Sequence, residues 1–187
     1  MKLGMKAAVV AFFVGLTPVA SDAGVILAPF AGKTFGGGRD AAGDDSHFVY
    51  GGTLTLLGDG LFGFEVDGQY APNYFGDFGD SNVASLMGSL TLGGGGGGTG
   101  VRFYANAGAG LLRTHVADRQ GFFDTDRNSF GITAGGSVIL PLGSTFGLKG
   151  DVRYFRGLVD SDSGSSVDLD LTGFHFWRAS AGLALRF

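Results

Sequence analysis

Residues 174–187 read FHFWRASAGLALRF, and an apolar side chain stands at every second position from Ala179 to Phe187. The alternate positions hold polar, charged or small residues: Arg178, Ser180, Gly182, Ala184 and Arg186. Because successive side chains of a β-strand point to opposite faces, a period of two indicates a strand with one apolar and one polar face. The sequence therefore predicts a terminal amphipathic strand that ends on an aromatic residue.

The other end of the chain has the pattern of a secretory signal peptide. Lys2 and Lys6 precede an apolar run from Ala7 to Leu16, and the small-residue pattern Ser21-Asp22-Ala23 follows. The run is about ten residues long, whereas a membrane-spanning helix needs about 20. We therefore expect residues 1–23 to be a cleaved signal peptide and residues 24–187 to form one mature domain.

The composition favours an all-β domain and argues against nucleic acid as a partner. The chain holds 37 Gly and 18 Phe but a single Glu, which depletes helix formers and enriches residues suited to sheets and turns. Without residues 1–23 it carries 11 basic and 16 acidic side chains, a net charge of −5. An acidic domain lacks the basic surface that nucleic-acid binding requires. The absence of cysteine excludes disulfides.

Eight segments have strand character, and the connections between them alternate in length. The predicted strands are 25–35, 47–57, 61–71, 82–92, 101–112, 128–140, 145–158 and 173–187. Short connections at 58–60, 93–100 and 141–144 alternate with longer polar ones at 36–46, 72–81, 113–127 and 159–172. Short periplasmic turns and long extracellular loops are typical of transmembrane barrels, and an even strand number would place both termini in the periplasm.

The strand faces sort by parity, but parity alone leaves two barrels open. Phe64 and Val66 oppose Glu65 and Asp67 in the third strand. A soluble barrel would bury the apolar face, and a transmembrane barrel would expose it to lipid. The many small residues on the polar faces, their compensating charges and the aromatic residues near strand ends favour lipid outside. Those aromatic residues are Phe48, Tyr50, Tyr70, Tyr154, Trp177 and Phe187.

The chain resembles the small eight-stranded outer-membrane β-barrel family, which includes opacity-type surface proteins and the transmembrane domain of outer membrane protein A. The segments VRFYANAGAGLL (101–112), NSFGITAGGSVIL (128–140), FGLKGDVRYFR (146–156) and FWRASAGLALRF (176–187) carry the likeness. The resemblance implies an antiparallel up-and-down barrel in the cell outer membrane, in contact with its lipid and lipopolysaccharide. It further implies that the barrel-assembly machinery reads Phe187 as an insertion signal. We expect a monomer without a cofactor.

Charged residues on the polar faces predict a network inside the barrel. An eight-stranded barrel is only wide enough for side chains to fill its interior. We therefore expect a salt-bridged solid core, with a narrow ion-conducting pore as the alternative. The predicted network comprises Glu65, Asp67, Arg102, Lys149, Asp151, Arg153, Arg178 and Arg186.

The long connections hold most of the acidic residues. Twelve of the sixteen mature carboxylates lie there: Asp40, Asp44, Asp45, Asp77, Asp80, Asp118, Asp124, Asp126, Asp160, Asp162, Asp168 and Asp170. Solvated loops explain them most simply. Asp160, Asp162, Asp168 and Asp170 form a weak calcium candidate, since Gly164 falls one position early for a calcium loop and its last carboxylate is absent.

The three histidines raise the possibility of lipid-modifying chemistry. His47, His115 and His175 are all predicted near the extracellular end, and Ser46 lies beside His47. Neighbouring side chains in a strand diverge, however, so Ser46 and His47 are poorly placed to act together. The sequence favours a non-catalytic structural or surface protein with four acidic loops and an unidentified extracellular ligand. A narrow pore or small-solute transporter and a lipid-modifying enzyme are the alternatives.

Overall fold

The computed structural model describes residues 24–36, 46–57, 61–72, 80–95, 100–117, 124–160 and 175–187. The expected signal peptide at 1–23 lies outside these residues. Eight antiparallel strands close into a barrel in which each strand pairs with its sequence neighbours and β1 pairs with β8. Their bounds are β1 Gly24–Phe35, β2 His47–Leu57, β3 Phe62–Pro72, β4 Asp80–Gly95, β5 Arg102–Ala117, β6 Asp124–Pro141, β7 Phe146–Asp160 and β8 His175–Arg186.

The predicted all-β, eight-stranded up-and-down fold is confirmed, and β4, β5 and β6 are each longer than predicted by four or five residues. β4, β5 and β6 extend beyond their apolar stretches, and the ladder continues through Arg113↔Asn128 to Ala117↔Asp124. The predicted 113–127 loop shrinks to a connection over 118–123. Backbone hydrogen bonds form irrespective of side-chain polarity, so the strands continue beyond the alternating pattern from which they were predicted.

The strand register sets the tilt of the strands. Successive register partners followed once around the barrel from Arg113 return to β5 at Phe103, ten residues away. A closed sheet with this stagger needs strands tilted by roughly 35–45° from the barrel axis. One irregularity interrupts the register, between Phe130 and Gly131 on β6.

The barrel has two distinguishable ends. The strand ends on either side of 58–61, 96–101 and 142–145 lie on the side of the barrel that also holds Gly24 and Phe187, which we call the turn end. Gly143 in the last of these turns has a φ of 136°, a conformation that side chains rarely adopt. The strand ends on either side of 36–46, 73–79, 118–123 and 161–174 lie on the opposite side, which we call the loop end.

The outer wall of the barrel is apolar. Leu90 is 72% exposed, whereas Arg153 is 0% exposed. Other wall residues include Leu56, Phe62, Phe64, Leu86, Leu92, Phe103, Leu111, Ile132, Leu148, Val152 and Leu183. A continuous apolar band of this extent marks a membrane-facing surface, which confirms the predicted assignment of faces. Within the described residues, no helix is long and apolar enough to cross a membrane.

Candidate functional site in the barrel interior

A network of ion pairs crosses the middle of the barrel. Glu65 on β3 accepts hydrogen bonds from the Lys149 ammonium at 2.6 Å and from the Arg153 guanidinium, both on β7. Thr55 donates to the same carboxylate at 2.6 Å, and Lys149 also donates to Thr53 at 2.8 Å. Opposite walls are therefore joined through charge-assisted hydrogen bonds, the stronger kind in proteins.

Arg178 on β8 holds the second half of the network. Its guanidinium donates to both carboxylate oxygens of Asp67, at 2.9 and 2.8 Å, and to Asp151 at 2.9 Å. It also donates to the Gln69 side-chain oxygen at 2.8 Å. The guanidinium carbon lies 4.4 Å from the centre of the Phe30 ring, a cation–π contact. A planar group fixed in this way has little freedom to move aside.

The two halves meet at Asp151, and their charges balance. Asp151 accepts from Arg178 and also from the Arg153 Nε, at 2.9 Å to its nearer oxygen. Three carboxylates thus face three cations, all buried. Burying a charge costs several kcal/mol unless a partner compensates, and here each of the six charged groups forms at least one ion pair, although Nη1 of Arg153 and Nε of Arg178 are buried without a hydrogen-bond partner.

Apolar layers lie on both sides of this network along the barrel axis. Toward the loop end, Phe155 and Phe176 stack with ring centres 4.8 Å apart and pack with Met87 and Leu112. A second group of Val49, Ala71 and Val83 lies at the same end. Toward the turn end, the layer comprises Ile26, Ala28, Tyr104, Ile139 and Ala184, with Leu57 packed against it. The charged layer is therefore enclosed between two apolar ones.

The wall formed by β4, β5 and β6 is small and polar where it faces the network. Ser89, Asn106 and Thr133 are buried there, beside several glycines. A Cβ added at Gly135 would lie 2.8 Å from Cγ of Arg153 and 2.3 Å from the Val152 carbonyl oxygen. Gly135 is the register partner of Arg153 on the neighbouring strand β7, so its missing side chain leaves room for the stem of the arginine.

The predicted charge network divides into two groups. Glu65, Asp67, Lys149, Asp151, Arg153 and Arg178 come together. Arg102 and Arg186 take no part in these ion pairs and lie half-buried at the turn end, where Arg102 begins β5 and Arg186 ends β8. The apolar layer containing Ile26 and Tyr104 separates them from the other six.

Several network residues were not predicted as part of it. Thr53, Thr55 and Gln69 share the inward parity of the charged residues, and this parity was the available signal. Phe30 and Phe155 also point inward, although an apolar-out pattern would place Phe against lipid. Both rings contact the guanidinium of Arg178, which is on β8, and this contact cannot be inferred from the sequence of β1 or β7 alone.

The remaining predicted sites are only partly within the described structure. Asp160 is the last residue of β7, while Asp162, Asp168 and Asp170 lie outside the described residues. No group of three or more His, Asp or Glu within the described residues could hold a metal ion. His47 has the lumen-facing parity of Val49, and His175 has the outward parity of Trp177. These two histidines therefore belong to opposite faces of the barrel.

Phe187 follows the last strand on the lipid-facing side. Its side chain is exposed, and its backbone N–H donates to the Val25 carbonyl at 2.9 Å. The terminal residue is thus tied to the first strand at the point where the barrel closes. Near the loop end, Tyr50 and Tyr70 have ring centres 5.7 Å apart, and Tyr154 and Trp177 5.2 Å apart. These residues form an aromatic girdle at the membrane boundary.

Solved structures of other proteins have the same barrel fold. Neisserial surface protein A superposes with a TM-score of 0.66 at 19% identity, covering 88% of this chain and 97% of that one. The N-terminal barrel domain of Pseudomonas aeruginosa OprF gives 0.58 at 17% identity, covering 88% and 97%. The chain has the fold of the eight-stranded outer-membrane β-barrels. A third such barrel is Ail of Yersinia pestis, solved with the heparin analogue sucrose octasulfate, at 0.52 and 11% identity over 88% and 97%.

The fold and the apolar wall together assign this barrel to the outer membrane, as predicted. All three similar structures are outer-membrane barrels, and the exposed band is stable only against lipid. No protein-family model matches the chain, and no curated protein does. At these identities the shared property is the fold, and a fold does not determine a function.

Proposed function

We propose that this protein is a non-catalytic outer-membrane barrel with a closed lumen, which serves as a rigid support for the four long connections and their acidic residues at the cell surface. The observation that carries the proposal is the burial of Arg153 and Arg178, both 0% exposed. Cations lining a water-filled channel would be accessible to water. Their burial favours a structural role over transport, the second candidate.

The support is stiff because its interior is cross-linked. Ion pairs join β3 to β7 and to β8, and neither of these two strands is a neighbour of β3 in the sheet. The stacked Phe155 and Phe176 close the lumen below the long connections. Loops attached to a rigid scaffold are a common arrangement for surface recognition.

The charge of the connections indicates the kind of extracellular ligand. Ail was solved with a sulfated anionic ligand, whereas this barrel carries twelve of its sixteen mature carboxylates in the long connections or at the strand ends beside them. Like charges disfavour contact, so we propose a ligand with a basic surface. A lipid-modifying enzyme is a weaker candidate, because His47 and His175 belong to opposite faces.

Biogenesis forms part of the same proposal. Residues 1–23 act as the secretion signal, and Phe187 at the end of β8 acts as the signal for the barrel-assembly machinery. The mature barrel is a monomer without a cofactor. The hydrogen bond between Phe187 and Val25 supports the proposed role of Phe187, since the residue that would be recognised also completes the closure of the barrel.

Surface binding of the intact protein tests the proposed ligand class. Cells displaying the barrel are applied to surfaces coated with polylysine or with heparin, beside cells lacking it. We expect the barrel to increase attachment to polylysine, to leave attachment to heparin unchanged, and to lose its effect as salt is raised. Increased attachment to heparin alone would contradict the proposed ligand.

A further inference from the structure

A groove crosses the outer wall of the barrel over β5, β6, β7 and β8. It has a volume of about 470 Å³, and the described residues along it all belong to these four consecutive strands. Those with outward parity are Phe103, Gly136, Val138, Gly150, Val152 and Ala179. A cavity inside the lumen would also be bordered by the opposite wall of the barrel. The groove therefore opens outward, toward the membrane.

The groove exists because two outward positions lack a side chain. Gly136 is in register with Val152, and Gly150 is in register with Val138, so each glycine lies beside a valine. The nearest atom to a Cβ added at Gly136 would be the Tyr104 carbonyl oxygen at 3.5 Å, an ordinary contact distance. The barrel backbone therefore does not require glycine at this position, and the space beside Gly136 is open on the lipid side.

The groove lies within the apolar band of the wall. At one end, Ala179 is two residues from Trp177 of the aromatic girdle, and at the other end Phe103 is the second residue of β5, at the turn end. The hydrocarbon core of a membrane supplies no water at this depth. Groove walls without partner atoms would lose their dispersion contacts, so hydrocarbon from the membrane has to fill the space.

The groove runs obliquely through the apolar band. It crosses the strands in the direction of the backbone hydrogen bonds, from Ala179 on β8 to Phe103 on β5. Because the strands are tilted by roughly 35–45°, this direction lies roughly 45–55° from the barrel axis. A straight saturated acyl chain aligns with the membrane normal, whereas a cis double bond bends a chain away from it. The groove therefore fits a bent chain better than a straight one.

We propose that the groove binds one cis-unsaturated acyl chain of a phospholipid from the leaflet nearest the turn end. The groove begins at Phe103 and stops short of the girdle, so the chain enters from that leaflet. A second barrel would present a convex wall, which cannot enter a groove one side chain deep. Because lipid chains are as apolar as the wall, the affinity comes from packing, and the head group contributes little.

Lipid retention by the refolded barrel tests the proposal. The barrel is equilibrated in mild detergent with dioleoyl or distearoyl phosphatidylcholine, and native mass spectrometry counts the lipids that each barrel retains. We expect one retained dioleoyl lipid per barrel and at least about threefold lower occupancy by the saturated lipid. Dioleoyl phosphatidylglycerol should match dioleoyl phosphatidylcholine. Equal occupancy by the two chain types overturns the proposal, as does occupancy that follows the head group or a lipid-free dimer.

Glycine-to-leucine variants locate the site. Gly136→Leu fills the groove and should abolish lipid retention. Gly68→Leu is the matched control, since Gly68 also faces outward, on β3, and its added Cβ would lie 3.8 Å from Cδ1 of Leu86. Gly68→Leu should retain lipid like the wild type, and equal retention by the two variants would overturn the site. If Gly136→Leu fails to fold, Gly136→Ala should lower the occupancy by at least about twofold. Unchanged occupancy in Gly136→Ala would contradict the proposal.

The outcome is separable from that of the proposed function. The groove depends on the outer-membrane assignment of the wall and not on the state of the lumen. A stable pore in bilayer recordings would overturn the closed lumen and leave the acyl-chain site intact. Equal lipid retention by Gly136→Leu and Gly68→Leu, in a barrel that does not conduct, would overturn the acyl-chain site alone.

Discussion

Glu65 on β3 and Arg153 on β7 form an ion pair across the lumen, between side chains 88 residues apart in the chain. Both are buried, and each has a further oppositely charged partner, Lys149 for Glu65 and Asp151 for Arg153. The pair therefore joins opposite walls of the barrel at the centre of the network.

Removing either member of this ion pair should lower the free energy of unfolding of the barrel. Glu65→Gln or Arg153→Met alone leaves buried charge uncompensated, at a typical cost of about 3–5 kcal/mol. The double variant should cost less than the sum of the two. Urea unfolding from lipid vesicles measures this cycle, with Arg102→Met, outside the network, as the control. Strict additivity would contradict the pairing.

Replacing Arg178 with lysine should also be destabilising, although the charge is kept. The guanidinium donates to both oxygens of Asp67 and to Asp151 and Gln69, and a lysine ammonium cannot reproduce that fork. A lost hydrogen bond to a charged group costs about 1.5–3 kcal/mol, so we expect Arg178→Lys to lower the free energy of unfolding by about that amount. Arg156→Lys on the outer wall should change it by less than about 0.5 kcal/mol. Equal effects at the two positions would show that the fork is unimportant.

Much of this network could be predicted from the sequence because parity is a strong constraint. A register slip of one residue turns every side chain of a strand to the other face, so Glu65, Asp67 and Arg153 had to share the lumen once β3 and β7 were recognised. The particular pairs were not predictable in the same way. They depend on the stagger of the closed barrel, which no single strand encodes.

Three features were beyond prediction for related reasons. Phe30 and Phe155 are apolar residues at inward positions, and their contact with Arg178 exists only when β1, β7 and β8 are assembled. The extension of β5 and β6 past Arg113 depends on backbone pairing, which leaves no periodic pattern in polar side chains. Arg102 has inward parity, but its position at the start of β5 keeps it at the turn end.

Arginine substitutions on the lipid-facing side of β7 should lower the free energy of unfolding by an amount that depends on the depth of the position in the membrane. Val152→Arg places the charge within the apolar band, where it costs about 2–4 kcal/mol. Leu158→Arg, near the loop end of the same strand, should cost about 0–1 kcal/mol. Urea unfolding from vesicles compares the two variants. If Val152→Arg has no effect, the lipid-facing assignment of this side is wrong.

Changing the terminal aromatic residue should impair assembly. Phe187 is exposed beside lipid and closes the barrel against Val25, so Phe187→Asp places a charge where an insertion signal is expected. We expect less protein in the outer-membrane fraction and more periplasmic degradation. Phe187→Tyr, which keeps the aromatic ring, serves as the control. Equal outer-membrane levels of Phe187→Asp and the wild type would rule out the proposed signal.

Conductance of the refolded wild-type barrel in a planar lipid bilayer tests the closed lumen most directly. The charged layer is enclosed between apolar layers at both ends, so no continuous water path is expected. We predict that folded, inserted barrels produce no steady channel current, with insertion verified independently by protease protection. A stable and reproducible single-channel conductance from the same preparation would contradict the account and favour a transport function.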